Sequence, residues 1–198
     1  MIVRPYHPND RDAVYEICIR TADAGGDARG IFSDDDLMPD VYAGPYVHLE
    51  PGLAFVVEDE GRAVGYVLGV ADTAAFAEAF RERWLPLVAS RRPVSSTPVT
   101  REELLVDTLH HPERMVRPEL AAYPAHLHID LLPPAQGRGW GRQLIRRLLA
   151  ELRSRGVGAV HLTYAAENAS AAAFYLRLGF REVPGVPHSL WAPTDLAV

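Results

Sequence analysis

Gln136-Gly137-Arg138-Gly139-Trp140-Gly141 stands where a strand-like apolar run ends at Pro133-Pro134 and a helical pattern begins. Glycine at alternate positions lets the backbone come close to a ligand without Cβ obstruction. The first N–H groups of a helix have no intrahelical acceptor, so such a turn can receive an anion. The helix dipole adds roughly 0.3–1 kcal/mol in favour of negative charge. Arg138 and Arg142 can add guanidinium charge for phosphate oxygens, and a diphosphate is the natural guest. All 20 basic residues are arginine. A P-loop, which needs Gly-Lys-Ser/Thr, is therefore excluded, as is any catalytic lysine. A dinucleotide-binding oxidoreductase module fits poorly too, because it needs G-x-G-x-x-G early in a βαβ unit. Here the spacing is G-x-G-x-G, late in the chain.

A second group follows at Asn168-Ala-Ser-Ala-Ala-Ala-Phe-Tyr-Leu-Arg-Leu-Gly-Phe180. Asn168 and Tyr175 are seven residues apart, about two helical turns, which predicts that both project from one face. The two groups together resemble the GCN5-related N-acetyltransferase (GNAT) superfamily. The first is similar to its Gln-x-x-Gly-x-Gly pyrophosphate loop, the second to its Asn-x-x-Ala-x-x-Phe-Tyr-x-x-x-Gly-Phe segment. Arg4-Pro5-Tyr6 resembles the family's opening strand. Val3 to Pro8 with Asp10, Gly65-Tyr66, Leu68-Gly69, Trp84 with Pro86, and Ile129-Asp130 look like the acetyltransferase-like domain at the C-terminus of O-GlcNAcases. Animal members of that subgroup have a degraded glycine-rich loop, whereas this chain keeps it whole. No glycoside-hydrolase pattern accompanies it.

The resemblance implies acetyl-CoA as cosubstrate and no metal. Gln136, Gly137, Arg138, Gly139, Trp140, Gly141 and Arg142 would hold the pyrophosphate. The backbone of Ile129 and Leu131 would pair with the pantetheine amides as an added strand does, and Asn168 and Tyr175 would complete the cofactor site. Tyr175 would protonate the departing thiolate, or only hydrogen-bond the thioester sulfur. An ammonium acceptor must lose a proton before it attacks, so a base is wanted. His126, His128 and Asp130 alternate along one strand and face one side. Asp130 is the first candidate for base or acceptor-binding group, with His128 the alternative. The expected reaction is direct acetyl transfer to an amine in a ternary complex. The rival is a CoA-binding pseudo-acetyltransferase acting as sensor or scaffold. Protein lysine, an N-terminus, a polyamine, an aminoglycoside or another small amine all remain open as acceptor.

The elements that must position these residues can be read from periodicity. Met1–Pro5 reads as a strand, and Asn9 as the cap of a helix running to about Thr21, with Cys18 on its buried side. Residues 22–51 read as irregular, with one short helix at most. Runs 53–58 and 62–71 form a hairpin around Asp59-Glu60-Gly61. A helical insertion at about 72–123 carries two stripes: Phe76, Phe80, Trp84, Leu85 and Val88, then Leu104, Leu105 and Leu109. Strand 125–132, helix 139–155, strand 159–165, helix 168–178 and a final hairpin follow. This order predicts an α/β fold with a mixed central sheet flanked by helices, in one domain spanning 1–198. The net charge of −6 argues against nonspecific nucleic-acid binding. One cysteine excludes a disulfide framework. No apolar run reaches membrane-span length and no signal pattern opens the chain, so a cytoplasmic protein is expected. The acidic run Asp34-Asp35-Asp36 reads as a solvated loop, or as an attractor for a cationic acceptor. No metal-ligand spacing links His110-His111 to other candidates.

Overall fold

The computed structural model describes residues 1–198. Its seven strands are β1 (Ile2–Pro5), β2 (Ala54–Asp59), β3 (Arg62–Val70), β4 (Ala125–Leu131), β5 (Ala159–Thr163), β6 (Arg181–Glu182) and β7 (Ser189–Pro193). They form one sheet in the order β1-β2-β3-β4-β5-β7-β6. Every neighbouring pair is antiparallel except β4 and β5. The mixed sheet flanked by helices is the expected class.

Strand alternation sends side chains to two faces. Tyr66, Leu68 and Val70 of β3 pack under α1 (Arg11–Ile19), α2 (Leu37–Tyr42), α3 (Gly44–Leu49), α4 (Thr73–Ala79) and α6 (Arg101–His110). Val67, Ala125 and Leu127 face the opposite way, under α7 (Trp140–Ser154) and α8 (Ala169–Leu178). The β2–β3 turn has Glu60 at φ 48° and Gly61 at φ 81°. That is the left-handed pair required by a two-residue hairpin with the twist of the strands.

Several boundaries differ from the sequence reading, for identifiable reasons. The cap is His7, not Asn9: it caps a 3-10 turn at Pro8–Asp10 that leads into α1, and Asp10 completes a capping box on the His7 backbone. Residues 37–49 form two short helices rather than one at most. Pro39 and Pro45, which read as breakers, lie in first turns, where a helix needs no N–H. Leu104 is exposed, and Leu105, Val106 and Leu109 make the buried face of α6.

The other stripe is instructive. Phe76, Phe80, Trp84 and Val88 are all buried, at a strict spacing of four. An α-helix would rotate such a stripe steadily off the core. A π segment at Phe80–Trp84 widens the turn and re-aims it, before α5 (Leu85–Val88) resumes. Leu85, the remaining residue of that predicted stripe, is only partly buried.

Candidate functional site

β4 and β5 pair through only two register positions, Ala125↔Val160 and His126↔His161, and then separate. β4 continues against β3 to Gly65↔Leu131. Its far edge from Leu127 onward therefore has no strand beside it. Leu132 N–H donates to Val64, towards β3, at 2.9 Å. Backbone groups alternate, so those of Ile129 and Leu131 point away from β3, into the opening. An extended chain bearing amides can pair there. One acceptor is already engaged: the Gln136 side chain donates to the Leu131 carbonyl at 2.7 Å. Gln136 also donates its own N–H to Pro133 at 3.1 Å. In this structure it braces the turn rather than presenting a donor to a ligand.

The N–H groups of residues 137–142 make no backbone hydrogen bond; the first helical bond runs from Gln143 to Gly139. Gly137 and Gly139 hold left-handed φ of 69° and 83°. Gly141 serves differently: a Cβ there would meet Phe174 of α8 at 3.0 Å, so it lets α7 and α8 pack closely. The expectation that all three glycines clear space for a ligand thus divides into two for backbone turn and one for helix packing. Arg138 reaches the Pro134 carbonyl at 3.3 Å. Arg142 and Trp140 flank the same helix start, with Arg142 exposed and Trp140 partly so. This cluster of free donors and guanidinium groups suits a diphosphate.

Tyr175 lies in the core cluster on the α7–α8 face, against which Ile129 and Leu131 also pack. It is 5% exposed, lies between Phe174 and Phe180, and its hydroxyl has no hydrogen-bond partner in the protein. Burial, then the Asp130 charge, push this phenol well above its ordinary value. Asp130 emerges on the other face, opposite Tyr66 in register. The buried Tyr66 hydroxyl donates to its Oδ2 at 2.7 Å. Burial pushes the Asp130 carboxyl up to about 7, against the opposing pull of the Tyr66 and Thr21 hydroxyls. Oδ1 makes no hydrogen bond of normal geometry, and the residue is partly exposed. His126 and His128 share this face and both contact the Tyr46 hydroxyl, at 2.8 and 2.9 Å. Sequence reasoning missed Tyr66 and Tyr46. Tyr66 needed the β3–β4 register across a 54-residue connection, and Tyr46 lay in the region read as irregular.

The remaining candidates fall elsewhere. Asn168 caps α8, its Oδ1 accepting from Ala171 N–H at 3.0 Å and Ser170 at 2.8 Å; it is the helix cap, not a residue of the helical face as the spacing predicts. Cys18 is buried, and desolvation pushes its thiol up, as a core residue requires. Asp34 pairs with Arg92 at 2.7 Å and Asp35 accepts from Gly30 N–H at 2.8 Å, so the acidic run folds on itself and on residue 92. Trp84 packs in the core and donates to the Asp40 carbonyl at 2.8 Å. His110 contacts the Arg92 carbonyl, and His111 lies beside Asp107 and Glu113. No three His, Cys, Asp or Glu side chains converge as a metal ligand set. No helix is long and apolar enough to cross a membrane.

Residues 113–180, which contain β4, the glycine turn, α7 and α8, match the model of the acetyltransferase (GNAT) family. The crystal structure of a protein called SsHAT is 55% identical, with 98% of each chain covered and a TM-score of 0.94. Protein O-GlcNAcase of Rattus norvegicus is 27% identical over 185 residues, which are 91% of this chain and 20% of that protein. The chain thus spans about a fifth of the curated relatives it matches over most of its length. A GNAT family acetyltransferase of Brucella melitensis, solved in complex with acetyl-CoA, shares the fold. Its TM-score is 0.50 at 16% identity, with 97% of this chain and 86% of that one covered.

Proposed function

We infer the reaction from one premise: this chain belongs to the acetyltransferase (GNAT) family. It moves the acetyl group of acetyl-CoA to an amine by direct attack within a ternary complex. The observation that carries this reading is the opening between β4 and β5, where different kinds of group converge. The free N–H groups of residues 137–142, with Arg138 and Arg142, take the pyrophosphate. The backbone edge at Ile129 and Leu131 pairs with the pantetheine arm and sets the thioester between Tyr175 and Asp130. A relative of this fold has been solved with the same cofactor.

Asp130 acts as the base. With its carboxyl pushed to about 7, it is half ionised near neutrality and matched to accept a proton from an incoming ammonium. The bared nitrogen lone pair attacks the thioester carbonyl, forming the C–N bond. The adduct nitrogen, now positively charged, releases its second proton to solvent, which in turn restores the proton that Tyr175 gives up. As the tetrahedral adduct collapses, the C–S bond breaks and negative charge gathers on sulfur. The Tyr175 hydroxyl, which retains its proton at neutral pH, donates to that sulfur. An N–H of the β4 edge stabilises the oxyanion.

The test is thiol release from acetyl-CoA across a panel of protein N-termini, lysine peptides, polyamines and aminoglycosides, with the product mass measured. Amine-dependent thiol release matched by an acetylated amine supports the reading. Acetyl-CoA binding with no acceptor-dependent release across the panel would point to a CoA-binding sensor or scaffold instead.

A further inference from the structure

A continuous hydrogen-bond chain lies on the same face of β4 as Asp130, and the mechanism above does not use it. It begins at the Pro124 carbonyl, which is 2.8 Å from the Thr73 hydroxyl. The same hydroxyl is 2.8 Å from His126 Nδ1. His126 Nε2 is 2.8 Å from the Tyr46 hydroxyl, which is 2.9 Å from His128 Nε2. Every link is buried or partly buried.

The direction of the chain follows from its first member. A carbonyl can only accept, so the single Thr73 hydroxyl proton lies towards Pro124. The Thr73 oxygen then accepts from His126, whose Nδ1 carries the proton. Burial holds His126 well below its ordinary value and His128 at about 4, so both rings are neutral. Neutral His126 with Nδ1 protonated has a bare Nε2, which takes the Tyr46 proton. The Tyr46 oxygen then accepts from His128 Nε2–H. Neutral His128 is left with a bare Nδ1, an atom with no hydrogen-bond partner in the protein, on a residue that is partly exposed. Two residues along the same strand face stands Asp130, also partly exposed.

We propose that the chain Pro124–Thr73–His126–Tyr46–His128 locks His128 in its Nε2–H form, so that Nδ1 serves beside Asp130 as a second hydrogen-bond acceptor for the amine substrate. His128 is then a neutral orienting group, while the proton leaves through Asp130. Thr73, His126 and Tyr46 are positioning residues that act through His128. The amine contact rests on the acetyl-transfer reading; the tautomer does not.

Long-range 1H–15N correlation spectra of the labelled protein distinguish the two neutral forms of each histidine, with His128 assigned by signal loss in His128→Gln. The wild type should show His128 protonated on Nε2 and His126 protonated on Nδ1. Thr73→Val removes the oxygen that sets the direction, so both rings should invert, and Thr73→Ser should restore them. In Thr73→Val the acceptor KM should rise roughly two- to tenfold, the effect of one hydrogen bond, with kcat and acetyl-CoA Kd unchanged. Nδ1 protonation of His128 in the wild type, or no inversion in Thr73→Val, would overturn the directional lock. Inversion with an unchanged acceptor KM would overturn the amine contact. A wild type that turns over no amine would refute the acetyl-transfer reading while leaving the tautomer result standing.

Discussion

Replacing Asp130 with asparagine should stabilise the protein above neutrality, and the size of the gain can be worked out. The Asp130 carboxyl is pushed up to about 7 by burial, against about 4 in an unfolded chain. Below about pH 4 both states hold the proton and this group contributes no pH dependence. Between about 4 and 7 the native state keeps a proton that the unfolded state has released, so stability falls as pH rises. Above about 7 both states are ionised and the loss is complete, about 3 units at 1.36 kcal/mol each, or about 4 kcal/mol. At pH 5 the loss is only about 1.5 kcal/mol. An asparagine at this position keeps the shape and still accepts from Tyr66, but carries no charge to desolvate. The stability difference between Asp130→Asn and wild type should therefore grow by about 2.5 kcal/mol from pH 5 to pH 8. For a chain of this size that is roughly 5–10 °C in thermal midpoint. Denaturant melts of both proteins at the two pH values provide the assay. Activity should move oppositely: the variant loses turnover at pH 7 and regains it as pH rises and the acceptor deprotonates in solution. A difference that is the same at pH 5 and pH 8 would refute the claim that Asp130 sits desolvated at this site.

Tyr175→Phe removes only an unpartnered hydroxyl, so acetyl-CoA affinity by calorimetry should hold while kcat falls about 10²-fold. Gly139→Asp puts a carboxylate and a Cβ where φ is 83° and the anion is expected, so acetyl-CoA binding should fall below detection while circular dichroism stays native. Arg92→Met leaves Asp40, which is 0% exposed and bonded to Arg92 at 2.9 Å, without its main partner. The loss should be about 3–5 kcal/mol in denaturant melts, largely recovered by adding Asp40→Asn.

Periodicity in the sequence is enough to place most of what positions the site. The leucine stripe of α7, the Glu60-Gly61 turn and the Pro133-Pro134 stop are local signals, and the structure has them where the pattern puts them. The alternation His126, His128, Asp130 is also observed, because side-chain direction in a strand depends on parity alone. What a single sequence does not carry is register between distant segments. Tyr66 lies opposite Asp130 only because β3 and β4 pair with Gly65 against Leu131. Tyr46 meets the two histidines only because α3 forms around Pro45, a residue that reads as a breaker until its first-turn position is known. Asn168 and Gln136 show the converse. Their positions fit the motif, but each side chain makes a local bond, a helix cap and a strand-end brace. The π segment at Phe80–Trp84 is legible in principle, since four buried aromatic or apolar residues at a spacing of four do not stay on one face of an α-helix.

A crystal structure of the protein with acetyl-CoA bound tests the cofactor site and the mechanism together. The pyrophosphate should lie within hydrogen-bond distance of N–H groups among residues 137–142. The pantetheine amides should pair with Ile129 and Leu131, and the thioester sulfur should lie within reach of the Tyr175 hydroxyl. A cofactor seated outside the β4–β5 opening, or one whose thioester lies away from both Tyr175 and Asp130, would contradict this placement.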